Sequence, residues 1–237
     1  MAAPDSTFVI FGGLGRQGGS VAEALGKEFP EGKIKLVTRG DPKSEKAMNC
    51  EGSPKIRSQT NEFAMPAWAV GSSIHMKAVE GKPSVTVVQA DQSKPETLDE
   101  VLKGAYGVFN VTAFWASATD GGTGSDKPTD AAYEKMQALN VNAACAKAGV
   151  KHLVFSMLEN TANHKDFNQD KAFKAVEGST YVVPHFDAKG EASEALNEQK
   201  DVAVDFVMVG FYYGNFFGMK PQKGEDGKYA MYMPLGG

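Results

Sequence analysis

Cysteine is scarce: Cys50 and Cys145 are the only two in 237 residues, too few for a disulfide framework. Long apolar runs are missing, and no stretch approaches the roughly 20 residues of a membrane-spanning helix. Excess basic charge is missing too. Lys and Arg number 25 against 29 Asp and Glu, a net charge of −4. With no basic stripe to replace phosphate counterions, general nucleic-acid binding is not expected. The opening MAAPDSTF has neither the basic nor the apolar region of a signal peptide. The four histidines, His75, His152, His164 and His185, have no metal-ligand spacing with each other or with cysteine, so no metal is expected. There is no GxSxG serine elbow, no internal repeat and no low-complexity tract. What remains is a soluble protein without a membrane anchor, expected in the cytoplasm with the nucleus as a second compartment.

A hydrophobic fraction of 42% over this length supports one full core. The apolar segments alternate between short runs and helical spacing. Phe8–Gly12, Lys33–Thr38, Ser84–Gln89, Tyr106–Val111, Lys151–Ser156 and Val202–Val209 read as strands. Gln17–Phe29, Pro95–Leu102, Asp130–Ala148 and Asp187–Gln199 read as helices, the third ended by Gly149. This order predicts an α/β fold, a doubly wound parallel sheet with helices on both faces. The runs are nearly all apolar, as strands buried on both sides should be.

Two domains are expected: residues 1–210 as the dinucleotide-binding unit, and 211–237 as the start of a small C-terminal lobe for substrate or partner. That lobe, FYYGNFF and then KPQKGEDGKYAMYMPLGG, reads as truncated at the turn-like Gly236 and Gly237. Residues 43–83 interrupt the rhythm as an inserted loop, far longer than the roughly 2–6 residues usual between such elements. Pro54, Pro66 and Pro83 break it and Ser73–Val79 has helical character; a surface excursion of no catalytic consequence is the plainer reading, while Met65, Trp68 and Val70 leave room for a partner-binding loop.

The densest signal is FVIFGGLGRQGGSVAEAL, residues 8–25. Gly13, Gly15 and Gly18 form GxGxxG; Gly12, Gly15 and Gly18 form an overlapping GxxGxxG. Either spacing alone is weak. Between a strand and a helix it becomes specific, because a side chain at the turn would keep the backbone off a pyrophosphate. The helix start supplies free amides and about half a positive charge. A tight turn without ligand is the plainer alternative.

The residues after the second strand select the dinucleotide. An NAD site usually carries a carboxylate there for the ribose 2′-hydroxyl. Here the strand runs into VTRGDPK: Thr38 is neutral, Arg39 cationic, and Lys43 follows. A guanidinium grips a 2′-phosphate that a carboxylate would repel, and Arg16 in the turn can reach the same phosphate. NADP(H) is therefore favoured over NAD. Arg39 as a solvated loop residue, or Asp41 as a displaced acid, are the alternatives. Asp91 and Gln92 end the third strand, where such residues line the ligand crevice. Asp91 can accept the adenine amino proton or instead cap the helix before Pro95. Thr112, Ala113, Phe114 and Trp115 end the fourth strand, bordering the nicotinamide half.

Together GGLGRQGGSVA, VTRGDPK, ADQ, VTAFW, VFSMLEN and above all HFDAKGE resemble the NmrA-like family, atypical short-chain dehydrogenase/reductase relatives that bind NADP(H). The similarity is nearest to its redox-sensor members and spans residues 6–233 apart from the insertion. It implies cofactor contacts from Gly12, Gly13, Leu14, Gly15, Arg16, Gln17 and Gly18, from Arg39 and Lys43, and from Asp91 and Gln92. It further implies contacts from Thr112, Ala113 and Phe114, from Lys189, and from Tyr212, Tyr213, Gly214 and Asn215. Three positions depart from the family pattern. Leu14 replaces a threonine, Leu139 replaces a lysine facing the nicotinamide pocket, and Gly214 replaces an acid.

Active short-chain reductases use Tyr-x-x-x-Lys as proton donor and ribose clamp. The matching step here is His185 to Lys189, so His185 and Lys189 are the catalytic candidates. His185 is a general acid in one reading. In the other it lines the pocket, just outside the helix after Pro184. Ser156 stands where the reductases keep a catalytic serine. Cys145 reads as packed and Cys50 as an exposed thiol. The missing tyrosine favours a redox sensor or regulator acting through a protein partner, with a homodimer as a further expectation. The competing expectation is an NADPH-dependent oxidoreductase of a quinone-like or carbonyl substrate. A third possibility is a cofactor-free scaffold.

Overall fold

The computed structural model describes residues 1–43, 84–114, 128–163, 174–210, 212, 221–224 and 226–230. Strand β1 (Thr7–Phe11) lies centrally in a six-stranded sheet of order β3-β2-β1-β4-β5-β6. The others are β2 (Lys33–Thr38), β3 (Ser84–Gln89), β4 (Gly107–Asn110), β5 (His152–Met157) and β6 (Ala203–Met208). Every pairing is parallel; Val9 stands opposite Lys35 on one side and Val108 on the other. The chain crosses over between β3 and β4, which leaves β1 and β4 adjacent and opens a crevice at their carboxyl ends.

The helices are α1 (Arg16–Glu28), α2 (Leu98–Leu102, after a 3-10 turn at Pro95–Thr97), α3 (Pro128–Ala148) and α4 (Pro184–Glu198). Alternation along β1 divides the core. Val9 and Phe11 pack with Leu98, Leu102, Val108, Val141, Cys145 and Leu153 beneath α2 and α3. Ile10 faces the other way, onto Leu36, Phe109 and Ala22 of α1. Each such side chain contributes about 1.5–3 kcal/mol when fully buried. Small residues, Ala138 and Ala192, let α3 and α4 meet over Phe155 and Leu196. Gly149 ends α3 at φ +70°, with the Val150 amide donating to the Cys145 carbonyl. The Cys145 thiol is buried, and burial pushes it up to about 12.

Three local readings change. The expected helix over Pro95–Leu102 divides into the 3-10 turn and α2. Helix α4 starts at Pro184, so His185 is a first-turn residue rather than a loop residue. Proline suits that position because its missing N–H would have no partner there. Two-sided burial holds for β1 and β4 but not for β6, where Val207 and Met208 are exposed; β6 has no further neighbour among the described residues. In the C-terminal segment β7 (Gln222–Lys223) and β8 (Tyr229–Ala230) pair as an antiparallel ribbon. Cys50, Trp115, Tyr213, Gly214, Asn215 and the insertion beyond Lys43 lie outside the described residues.

Candidate functional site

The β1–α1 junction is built on backbone. Gly12 sits at φ +66°, where an added Cβ would stand 2.5 Å from Val111 Cγ1. A Cβ on Gly18 would stand 2.7 Å from the Gly12 carbonyl carbon, so α1 rests directly on the turn. The Gly15 amide closes the turn onto the Gly12 carbonyl at 2.8 Å. The N-cap of α1 is Gly15, which has no side chain to cap the helix, and the first turn holds no acid. The first turn of a helix leaves amides without intrahelical acceptors, and the positive end of the α1 dipole lies at this turn. Leu14 is buried in the core below.

Gln17 spans the crevice. Its Oε1 accepts from Ser156 Oγ at 2.6 Å, and its Nε2 donates to the Tyr212 hydroxyl at 2.8 Å. The Arg16 guanidinium lies over the Tyr212 ring, 5.3 Å from its centroid. The structure thus joins the glycine turn, the end of β5 and the segment after β6. It also turns Arg16 toward that segment, on the opposite side of β1 from the strand that leads to Arg39.

Arg39 and Lys43 are exposed just past β2. The Gln89 side chain donates to the Arg39 carbonyl at 3.1 Å, tying the ends of β2 and β3. Asp41 accepts the Lys43 amide at 2.8 Å. One Asp91 oxygen is committed to its own turn, accepting from Ser93 N at 2.9 Å and Ser93 Oγ at 2.7 Å; the other faces Lys94 at 3.8 Å. Gln92 is buried and reaches inward, donating to Asn110 Oδ1 at 2.5 Å. Its carbonyl accepts from Asn140 at 3.0 Å.

At the end of β4, Thr112 joins two helices. Its hydroxyl donates to Glu134 Oε1 of α3 at 2.7 Å and accepts from Lys189 Nζ of α4 at 2.7 Å. Lys189 Nζ lies 2.8 Å from the same Glu134 oxygen. The Ala113 amide donates to Gln137 Oε1 at 3.1 Å. Glu134 and Gln137 are absent from the sequence-derived site. The available signal is an acid at helical spacing with Ala131, Ala138 and Val141, inside an otherwise apolar stripe. Leu139 packs toward Phe155 and Leu196.

The HFDAKGE segment separates into distinct roles. Asp187 is fully buried and accepts from the Thr161 amide and hydroxyl (2.6 Å each), the Ala162 amide (3.1 Å), and the Val182 and Val183 amides (2.7 and 2.9 Å). Gly190 lets the loop after β5 pass: an added Cβ would stand 2.5 Å from Asn160 Cα. Both residues seat α4, and so set where His185 and Lys189 lie. His185 meets Phe114 and Phe186 edge-on, with ring centroids 5.8 and 5.0 Å apart. Ser156 is bonded to Gln17. Beside this pocket Tyr181 donates to Glu191 at 3.3 Å. Burial first, and then the Glu191 charge, raise its phenol above the ordinary value.

A parallel sheet of order 3-2-1-4-5-6, with a glycine turn leading into α1, defines a Rossmann-type doubly wound α/β protein. The chain belongs to the NmrA-like family, whose pattern matches residues 4–236. Among solved structures it resembles NmrA, a negative transcriptional regulator in complex with NAD (16% identity, TM-score 0.56, 96% of this chain and 53% of that one). It also resembles Pen from Bacillus thuringiensis (14%, TM-score 0.52, 88% and 51%). A third is vestitone reductase from alfalfa, Medicago sativa L. (14%, TM-score 0.50, 86% and 56%). The chain spans about half the length of these structures, and likeness at such identity shows the fold. No helix among the described residues is long and apolar enough to cross a membrane.

Proposed function

We propose that this chain binds NADP(H) over the glycine turn and acts as a redox-responsive regulator through a protein partner. The observation that carries the reading is the β1–α1 junction. Gly18 brings the helix start onto the turn, the N-cap is a glycine with no capping side chain, and no carboxylate opposes an anion in the first turn. Past β2 comes the exposed Arg39 rather than an acid, which favours the 2′-phosphate form. These residues fit a nicotinamide dinucleotide: Gly12–Gly18 for the pyrophosphate, Arg39 and Lys43 for the 2′-phosphate, Thr112–Phe114 and Lys189 for the nicotinamide end.

Parallel calorimetric titrations with NADPH, NADP and NADH test this. Both phosphorylated forms are expected to bind at least about tenfold tighter than NADH, the worth of one charge-assisted contact. Equal NADH affinity removes Arg39 as selector, and absence of binding overturns the reading. Sensing also requires NADPH and NADP to differ in affinity or in the conformation they favour. Identical affinities with identical hydrogen-exchange patterns would sink that part.

The second reading is an NADPH-dependent oxidoreductase. It draws on His185, one helical turn before Lys189 and edged by Phe114 and Phe186, a setting that suits a flat carbonyl or quinone-like acceptor. The dinucleotide would supply hydride, and His185 would hold the proton. His185→Phe should then cut turnover sharply while leaving NADPH affinity intact; no NADPH consumption with any quinone or carbonyl tried excludes this reading.

A further inference from the structure

We propose that Glu134 is a positioning residue that fixes the Lys189 ammonium at the end of β4, ready to donate to the ribose at the nicotinamide end of a bound dinucleotide. The proposal rests on the dinucleotide reading above. Its basis is a closed three-way contact: Lys189 Nζ to Glu134 Oε1 (2.8 Å), Lys189 Nζ to Thr112 Oγ1 (2.7 Å), and Thr112 Oγ1 to Glu134 Oε1 (2.7 Å).

The two charges are unequally placed. The Glu134 side chain is 1% exposed and that of Lys189 12%. Glu134 Oε2 has no hydrogen-bond partner among the described residues. A carboxylate this deeply buried is poorly placed to contact a ligand itself, and it is costly unless held to a cation. Lys189 differs. Of its three ammonium donors, Glu134 and Thr112 take two at short range, and the remaining contact among the described residues, to the Thr112 carbonyl, is long at 3.5 Å. Its side chain is partly exposed, and its ammonium lies at the carboxyl edge of the sheet beside Thr112. Phe155, 5.9 Å from Nζ, backs it from the β5 side. A flexible four-carbon stem would otherwise leave the ammonium many positions to sample. Glu134 and Thr112, from α3 and the end of β4, restrict it to one.

The test compares two ligands on Glu134→Gln, which keeps the shape and removes the charge. NADPH carries the nicotinamide ribose; adenosine 2′,5′-bisphosphate carries the adenine and 2′-phosphate without it. The variant is expected to bind NADPH about tenfold more weakly and the bisphosphate as the wild type does. Unchanged NADPH affinity overturns the proposal. Equal loss of both ligands also overturns it, because a merely structural role would produce that. Wild-type protein that binds neither ligand defeats the dinucleotide reading and this proposal with it; bisphosphate binding by the wild type separates the two failures. If Glu134→Gln does not fold, Glu134→Asp keeps the charge and withdraws the carboxylate from Lys189 by one methylene. It should give the same one-sided loss, about threefold, and an even-handed loss or none overturns the proposal.

Discussion

The Asp187 carboxylate accepts both the backbone amide and the side-chain hydroxyl of Thr161 at 2.6 Å, joining the first turn of α4 to the loop after β5. Its other oxygen takes the Val182 and Val183 amides. One side chain thus satisfies donors in two separate connections. Asp187→Ala would leave those amides buried without acceptors, each costing about 1–3 kcal/mol. We expect a loss above about 4 kcal/mol in urea unfolding, or failure to fold at 37 °C. A loss below about 1 kcal/mol would contradict this role.

Gly190→Ala tests the same junction by volume. The new methyl would overlap the backbone of Asn160, which cannot swing aside as a side-chain tip can. The expected loss is about 1–3 kcal/mol, with lowered NADPH affinity because Lys189 follows α4. Wild-type melting and affinity together would exclude the tight approach.

Lys189→Met isolates the Glu134 carboxylate. Breaking a buried pair by removing one partner costs about 3–5 kcal/mol. Adding Glu134→Gln to Lys189→Met should recover part of that loss, since the orphaned charge is gone. Denaturant melts of the two single variants and the double variant give the coupling directly; strict additivity would mean that the pair is not coupled.

Arg39→Ser should weaken NADPH binding about tenfold or more while leaving NADH unchanged. Titration of both cofactors against the variant reads this selectivity. An equal effect on both would assign Arg39 to the loop alone.

Cys145 makes stability fall at alkaline pH. The folded thiol keeps its proton to about 12, whereas its ordinary value is 9.0. Between those values the unfolded chain binds fewer protons than the folded one, so stability decreases as pH rises. The slope is up to about 1.4 kcal/mol per pH unit. Cys145→Ala should flatten that part of the stability–pH curve, and the wild-type thiol should resist alkylation at pH 8 until unfolded.

The sequence by itself determined the frame. Apolar runs alternating with helical spacing dictated strand and helix order, because the central parallel strands, β1 and β4, are buried on both faces and must be apolar there. The glycines between Phe11 and Gly19 marked the turn, since only glycine permits the φ of Gly12 and the contact at Gly18. Gly149 similarly announced the end of α3. These are local properties, set by neighbours in the chain. Tertiary structure decided the partners. The pairing of Glu134 with Lys189 joins residues on two helices that meet over β4 and β5, and no spacing rule encodes it. The links of Gln17 to Ser156 and Tyr212 depend on the sheet order that brings three carboxyl-end segments together. HFDAKGE was legible as a motif. That its aspartate and glycine seat a helix while its lysine faces the crevice follows only from the loop after β5 passing beneath α4, where close packing leaves room for a hydrogen and not for a methyl.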